Sequence, residues 1–419
     1  MDRASGNREI VAALAGWADR WRRAPLKPAL SLLAWLAAFR VPLFSWTTAY
    51  ALLWCYRALF SVLGEVVIMR LTIVSDTRSY QRQELWQALD LLAVVSSNIG
   101  FLMQATATAL TKLVGLFFGL LSFNNPIFIN LGFQTIGFLG LLALLRALEP
   151  TERKVFFGLL LLPSITVWSS IASKEALLVG FVGVVCAHIV KIYKNEDRIN
   201  VVTVLCVILV GVFKPHYMPA LLLLIGVSYA ARYSPQKATI ALLALIASLL
   251  VLYVLRDPFD DFATYVDYGI TALGGNSVRP RFLVEQYDVF FKAPLGMYLA
   301  FAGPTLSEAS RGILHMVTFT ETVVIIFVLL FFLIRRLPEV PAFNFILSMS
   351  ALFWILFATY PPAVSNPGTA IRYRTGYILI VFLCFVLMLS RPLYVNWVRG
   401  WRVRPRRRLW TWGREPTAG

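Results

Sequence analysis

An all-α, polytopic integral membrane protein is predicted by three observations. Hydrophobic residues make up 58% of the 419-residue chain and charged residues only 15%, with a mean hydropathy of +0.70. A soluble domain carries about 25% charged residues, so this chain has too few to cover its own surface in water. Apolar runs recur from residue 29 to residue 390, leaving no room for a soluble catalytic domain. The runs are also continuous, as in Ala238–Val254 and Val323–Ile334, whereas barrel strands alternate over about ten residues. About ten to twelve transmembrane helices are expected, with amphipathic helices at the outer face.

Three parts succeed one another along the chain. Residues 1–28 are charged and lack an apolar stretch ending in a small-residue cleavage site, so a basic cytoplasmic segment is expected and not a cleavable signal. Residues 29–390 form the membrane domain, with outer loops at 65–126 and 256–312. Residues 391–419 form a basic tail in which Trp397, Trp401, Trp410 and Trp412 alternate with arginines. Such a tail suits anionic lipids at a membrane surface. The net charge of +17 does not make nucleic acid an expected partner, because no binding module accompanies it.

The first span is expected near 43–64. Between Gln81 and Leu121 the apolarity weakens, giving either two short spans or amphipathic helices on the outer surface. Further spans are expected at about 127–145, 155–171, 175–192, 199–213, 217–231, 237–255, 313–334, 342–360 and 375–390. The loops at 146–154, 191–198, 231–237 and 335–341, with the two terminal segments, hold 24 of the 39 Lys and Arg residues. The positive-inside rule therefore places them, and both termini, in the cytoplasm.

That orientation leaves three polar motifs on the outer side, where ionisable groups beside lipid are costly and mark function. The first is Ser75-Asp76-Thr77-Arg78-Ser79-Tyr80. A carboxylate there can act as general base toward a sugar hydroxyl, with Arg78 and Tyr80 positioning substrate; the alternative is that Asp76 caps a helix beginning near Tyr80. The second runs from Pro163 to Glu175. Lys174 is a phosphate contact beside Glu175, and Ser169, Ser170 and Trp168 line a pocket, or else Lys174 and Glu175 form an interfacial pair with Trp168 in the aromatic belt. The third is Asn366-Pro367-Gly368-Thr369-Ala370-Ile371-Arg372-Tyr373-Arg374. Arginine forks bind phosphate oxygens bidentately, so Arg372 and Arg374 are candidates for a pyrophosphate clamp flanking Tyr373.

Weaker candidates are Lys214 and His216 in a short turn, and Arg279 and Arg281 in the long loop. Glu321 reads as a buried, hydrogen-bonded acid. Asp257, Asp260, Asp261 and Asp267 form an acidic run expected on a solvated loop face. The four cysteines lie in apolar segments and read as small core residues. Three histidines without an HExxH motif give no expected metal site, and a divalent cation is optional.

Together the three motifs resemble segments of GT-C-type membrane glycosyltransferases and of bacterial exopolysaccharide (O-antigen-like) polymerases. The S-D-T-x-S-Y stretch looks like the outer-loop acidic motif of that class. The class has a paired Asp-Glu in the first loop and a large C-terminal periplasmic domain, and both are lacking here. The resemblance implies a multi-pass protein of the bacterial inner membrane that acts in envelope polysaccharide biosynthesis. Its partners would be a polyprenyl-(di)phosphate-linked sugar or oligosaccharide donor and a glycan acceptor. Asp76 would be the catalytic base, and Arg372, Arg374 and Lys174 would stabilise the departing phosphate. The competing class is a flippase or other transporter, with Lys174, Arg372 and Glu321 lining a cavity.

Overall fold

The computed structural model describes residues 45–69, 77–81, 99–194, 200–272, 278–336 and 340–389. Asp76 and the two terminal segments lie outside these. The chain forms two compact units, Met1–Leu53 and Trp54–Gly419, and the helical bundle belongs to the second. Among the described residues there are helices and no strands, and eight helices are long and apolar enough to cross a membrane. Two shorter apolar helices accompany them. The protein is an all-α, multi-pass membrane protein.

Helix α1 (Trp46–Leu63) is followed by the short α2 (Thr77–Gln81) and then by α3 (Ile99–Leu121). The stretch left open by sequence therefore contains a helix of spanning length, Met103–Leu121. Its threonines hide their polarity, since Thr108 and Thr111 donate to the carbonyls of Gln104 and Ala107 one turn back. Helix α4 (Pro126–Ala147) begins on an Asn-Pro signature. Asn125 caps it through a 3.0 Å bond from the Ile127 N–H, and Pro126 occupies the first turn, where no N–H is needed.

Helix α4 and α7 (Lys174–Tyr193) run parallel, as their glycine contacts show. Gly137 lies against Ala176 and Gly140 against Gly180, so both numberings rise together. A Cβ on Gly140 would stand 2.0 Å from the Gly180 carbonyl oxygen, and one on Gly183 2.5 Å from the Gly140 carbonyl carbon. Small residues let membrane helices approach backbone to backbone, where dispersion replaces the absent hydrophobic drive. Gly140→Val is expected to destabilise the bundle by about 1–3 kcal/mol, because no rotamer can move a backbone out of the way. Thermal unfolding in detergent measures it, and an unchanged midpoint would disprove the close crossing.

Because α4 and α7 are parallel, the chain must cross back between them. It does so as a broken pair, α5 (Pro150–Leu160) and α6 (Pro163–Trp168), where one continuous span at 155–171 was expected. Pro163 has no N–H to continue the helix, which breaks it. Every backbone group freed inside a bilayer needs a partner. Tyr56 donates to the Leu161 carbonyl (2.6 Å), Thr166 to those of Leu160 and Leu162 (3.0 Å each), and the Ser164 N–H donates to Glu321 (3.1 Å). Glu321 is the buried, hydrogen-bonded acid the sequence suggested, set at the N-terminus of α6, where negative charge is favoured.

Next come the two shorter apolar helices, α8 (Val201–Phe213) and α9 (Met218–Ala230), and the remaining spans α10 (Lys237–Val254), α15 (Ile313–Arg336), α16 (Ala342–Thr359) and α18 (Pro367–Leu389). Helices α7 and α18 are the most enclosed of the candidate spans. At one end of the bundle Asn344 ties three helices, accepting from Tyr193 (2.6 Å) and donating to the Leu387 carbonyl (2.8 Å).

The other end carries the long loop, which folds as α11 (Arg256–Ala272), α12 (Asp288–Phe291), α13 (Ala293–Ala302) and α14 (Leu306–Ala309). Only half of the acidic run is a solvated face: Asp257 and Asp261 are exposed. Asp260 and Asp267 are buried, and Asp267 accepts from the N–H groups of Phe282 and Leu283 and from the Ser365 hydroxyl. A loop folded against the bundle must satisfy its own amides, and these carboxylates do so. Arg279 grips Glu308 bidentately (2.6 and 2.7 Å) and donates to the Val364 carbonyl in α17 (Pro361–Val364), so it anchors the loop.

Burial pushes the Glu308 carboxyl up, but the Arg279 guanidinium and the Thr305 N–H outweigh it and hold it down at about 2. A depressed carboxylate stabilises fully above its unfolded value, here 4.5, and loses that contribution as pH falls toward 2. Hydrogen exchange across residues 278–309, corrected for intrinsic rates, is therefore expected to rise on acidification through this window. Glu308→Gln should exchange fast at every pH; an acid response that persists in this variant would exclude Glu308 as its source.

Candidate functional site

The site grows from a non-helical turn buried in the bundle. Ser169, Ser170, Ile171 and Ala172 are fully buried, so their backbone needs partners. Arg57 in α1 donates to the Ser169 carbonyl (2.9 Å), Ser61 donates to the Ser170 carbonyl (2.7 Å), and Asn130 accepts from the Ala172 N–H (2.8 Å). Ser169 and Ser170 therefore belong to this clasp and do not line a pocket. Arg57 was not singled out from sequence. Its signal was a lone charge inside the apolar run Ala51–Val62.

The clasp delivers the start of α7. Ser173 caps it, accepting from the Ala176 N–H (3.1 Å) while donating to the Trp168 carbonyl (2.9 Å). Lys174 and half-buried Trp168 stand beside this turn. Glu175 has no exposed surface and is the hub of the site. Arg372 pairs with its carboxylate at 2.8 Å, and the Lys214 ammonium lies 4.0 Å away. The same ammonium sits 3.4 Å from the Tyr373 ring centroid, a cation–π contact. His216 faces Tyr373 at 6.1 Å between centroids, and its Nε2 is buried without a hydrogen-bond partner. Tyr217 underlies the group and donates to the Tyr373 carbonyl (3.1 Å).

Three motifs distant in sequence thus meet at the loop end of the bundle: Lys174 and Glu175, Lys214 and His216, Arg372 and Tyr373. The described part of the first motif, residues 77–80, leads to a contact with the turn that precedes α7. Helix α2, which comes after Asp76, places Gln81 on Asn130 (3.1 Å), the residue that holds Ala172. Tyr80 is buried under α2, while Arg78 is exposed.

The other candidates go elsewhere. Arg374 was expected to clamp phosphate beside Arg372, but α18 begins at Pro367 and not near 375, so both arginines lie on a helix. Residues two apart on a helix point about 200° apart. Arg372 faces Glu175, and Arg374 turns into the bundle, donating to the Phe301 carbonyl (3.1 Å) and to Thr322. Arg279 is taken by Glu308, and Arg281 lies over the Tyr268 ring on the loop surface.

Chemically, the cluster sets Arg372 and Lys214 against one carboxylate at the end of a bundle, with Lys174 next to that carboxylate in the chain. Such an arrangement suits an anion with several oxygens. An apolar groove of about 380 Å³ lies on another face of α7. Leu177 and Phe181 of α7 line it with residues of α3, α4 and α8, and Leu177, two residues past Glu175, points about 200° away from that carboxylate. Among the described residues no three His, Cys, Asp or Glu side chains are grouped to hold a metal ion. The chain matches no protein-family model, and neither a curated protein nor a solved structure is detectably similar to it.

Proposed function

We propose that this protein is a GT-C-like glycosyltransferase or polymerase. It transfers a sugar or oligosaccharide from a polyprenyl-(di)phosphate carrier at the outer face of the bacterial inner membrane. The observation that carries this is the meeting of Lys214 and Arg372 on the buried carboxylate of Glu175, a cationic cluster at the end of an apolar bundle. A polyprenyl phosphate has that division of character, an anionic head on a long hydrocarbon chain. Arg372, Lys214 and Lys174 stabilise negative charge on the departing phosphate. The acceptor hydroxyl attacks the anomeric carbon as the bond to the carrier phosphate breaks, and Asp76 takes the hydroxyl proton. The test is product formation from a lipid-linked donor by purified protein in nanodiscs; no product with any donor, in a folded sample, removes the assignment.

The reading requires the loop end to face outward. Single cysteines in an otherwise Cys-less protein report this directly. Ser307→Cys, on the loop, is expected to label in intact cells with a membrane-impermeant reagent, whereas Gln236→Cys should label only after permeabilisation. The reverse pattern would place the cationic cluster in the cytoplasm and exclude an outer-face donor.

A further inference from the structure

The long loop holds a second cleft of about 460 Å³, between α11 and the segment leading to α12. Two tyrosines on one wall, Tyr265 and Tyr268, are 74% and 58% exposed, so much of their aromatic surface is open to a ligand. Asp261 and Glu285 add carboxylates, and Arg281 bends over Tyr268 with its guanidinium 5.6 Å from the ring centroid. The deepest group is Asp260. It is 6% exposed, and one carboxylate oxygen accepts from the Tyr287 N–H (2.9 Å) while the other, Oδ1, has no partner. A buried carboxylate oxygen left without a donor is costly, and a small side-chain shift that opens it to the cleft would let a ligand hydroxyl satisfy it.

The opposite wall is preorganised. Asp288 accepts from the N–H groups of Val284 (2.9 Å) and Glu285 (2.8 Å), and Asp267 accepts from Phe282 and Leu283. Binding to a fixed wall avoids the entropy of ordering one. Asp267 and Arg279 also tie this loop to Ser365, the residue before the motif that carries Arg372.

We propose that this cleft binds a neutral saccharide. Sugars offer apolar C–H faces that pack on tyrosine rings and hydroxyls that donate to carboxylates, the mixture of aromatic surface and a few fixed polar groups found here. Three carboxylates against one arginine repel uronic acids and other anionic sugars. The inference rests on the transferase reading for the source of the sugar, as the acceptor glycan, and not for whether the cleft holds one.

The test uses the full chain in nanodiscs with chitotriose, cellotriose and mannotriose as neutral probes and trigalacturonate as the acidic comparator. Saturation-transfer NMR reads binding. At least one neutral trisaccharide is expected to bind, and trigalacturonate more weakly than it. The double variant Tyr265→Ala/Tyr268→Ala should weaken binding by about tenfold. Gln286→Ala, a cleft side chain with little bearing on folding, should weaken it too. The proposal is overturned if no neutral probe binds, if both variants bind as wild type, or if calcium alone occupies the cleft and displaces the sugar. Polyprenyl-phosphate binding by the same wild-type discs tests the transferase reading separately. Saccharide binding without it leaves the cleft standing and removes the transferase.

Discussion

Asp76→Asn is expected to lower glycan transfer by about 100-fold or more while leaving the lipid-linked donor bound. The amide keeps the size and hydrogen-bonding capacity of the carboxylate and loses only proton acceptance. Donor affinity should survive, because a neutral amide does not repel phosphate. Asp76 itself lies outside the described residues; α2, which follows it in the chain, places Gln81 on Asn130, the residue that holds the Ala172 N–H. Product formation and donor binding are to be measured on the same nanodisc samples, since a transporter would show no transfer to lose. Normal transfer by the Asn variant, at normal expression, returns Asp76 to the helix-cap role.

Glu175→Gln is expected to destabilise the protein by about 3–5 kcal/mol, the range for removing one member of a buried ion group. Glu175 is fully buried and faces both Arg372 and Lys214, so its loss leaves two cations sharing one enclosed space. The size of the effect is mostly the cost of those stranded charges and not the worth of the pair. A second substitution separates the two: Glu175→Gln with Arg372→Gln should recover part of the lost stability, because one stranded cation is gone. Unfolding of both variants by denaturant or heat decides it. A double variant less stable than the single one by the full cost of Arg372→Gln would mean that the residues do not interact.

The pairing also separates structural from functional losses at Arg372. Arg372→Lys keeps the charge beside Glu175 but gives up the planar fork. Stability should then hold while donor affinity falls, the opposite of the Glu175→Gln pattern.

Much of the architecture is legible in the chain itself. Continuous apolar runs with few charges demand a helical membrane protein, since lipid offers no partner for an open backbone. Isolated charges at the ends of such runs mark Lys174, Glu175, Lys214, His216 and Arg372, because their cost beside lipid must be met somewhere. Asn-Pro pairs are also readable as helix starts, at Asn125-Pro126 and at Asn366-Pro367, where Asn366 accepts from the Gly368 N–H (2.9 Å). Taking the second pair as a loop puts Arg374 on the wrong side.

Tertiary structure alone decided which charges meet. Glu175 is the hub because the parallel packing of α4 and α7 across Gly140 and Gly180 brings α7 into the bundle centre, a contact between residues 40 apart that no local pattern encodes. Arg57 and Asn130 became clasps of the 169–173 turn because that turn is enclosed and its amides must be satisfied from elsewhere in the chain. The acidic run looked solvated because sequence shows charge and not burial. Folding placed Asp260 and Asp267 against backbone N–H groups more than a dozen residues away, and desolvation turned a polar stretch into the anchors of the loop.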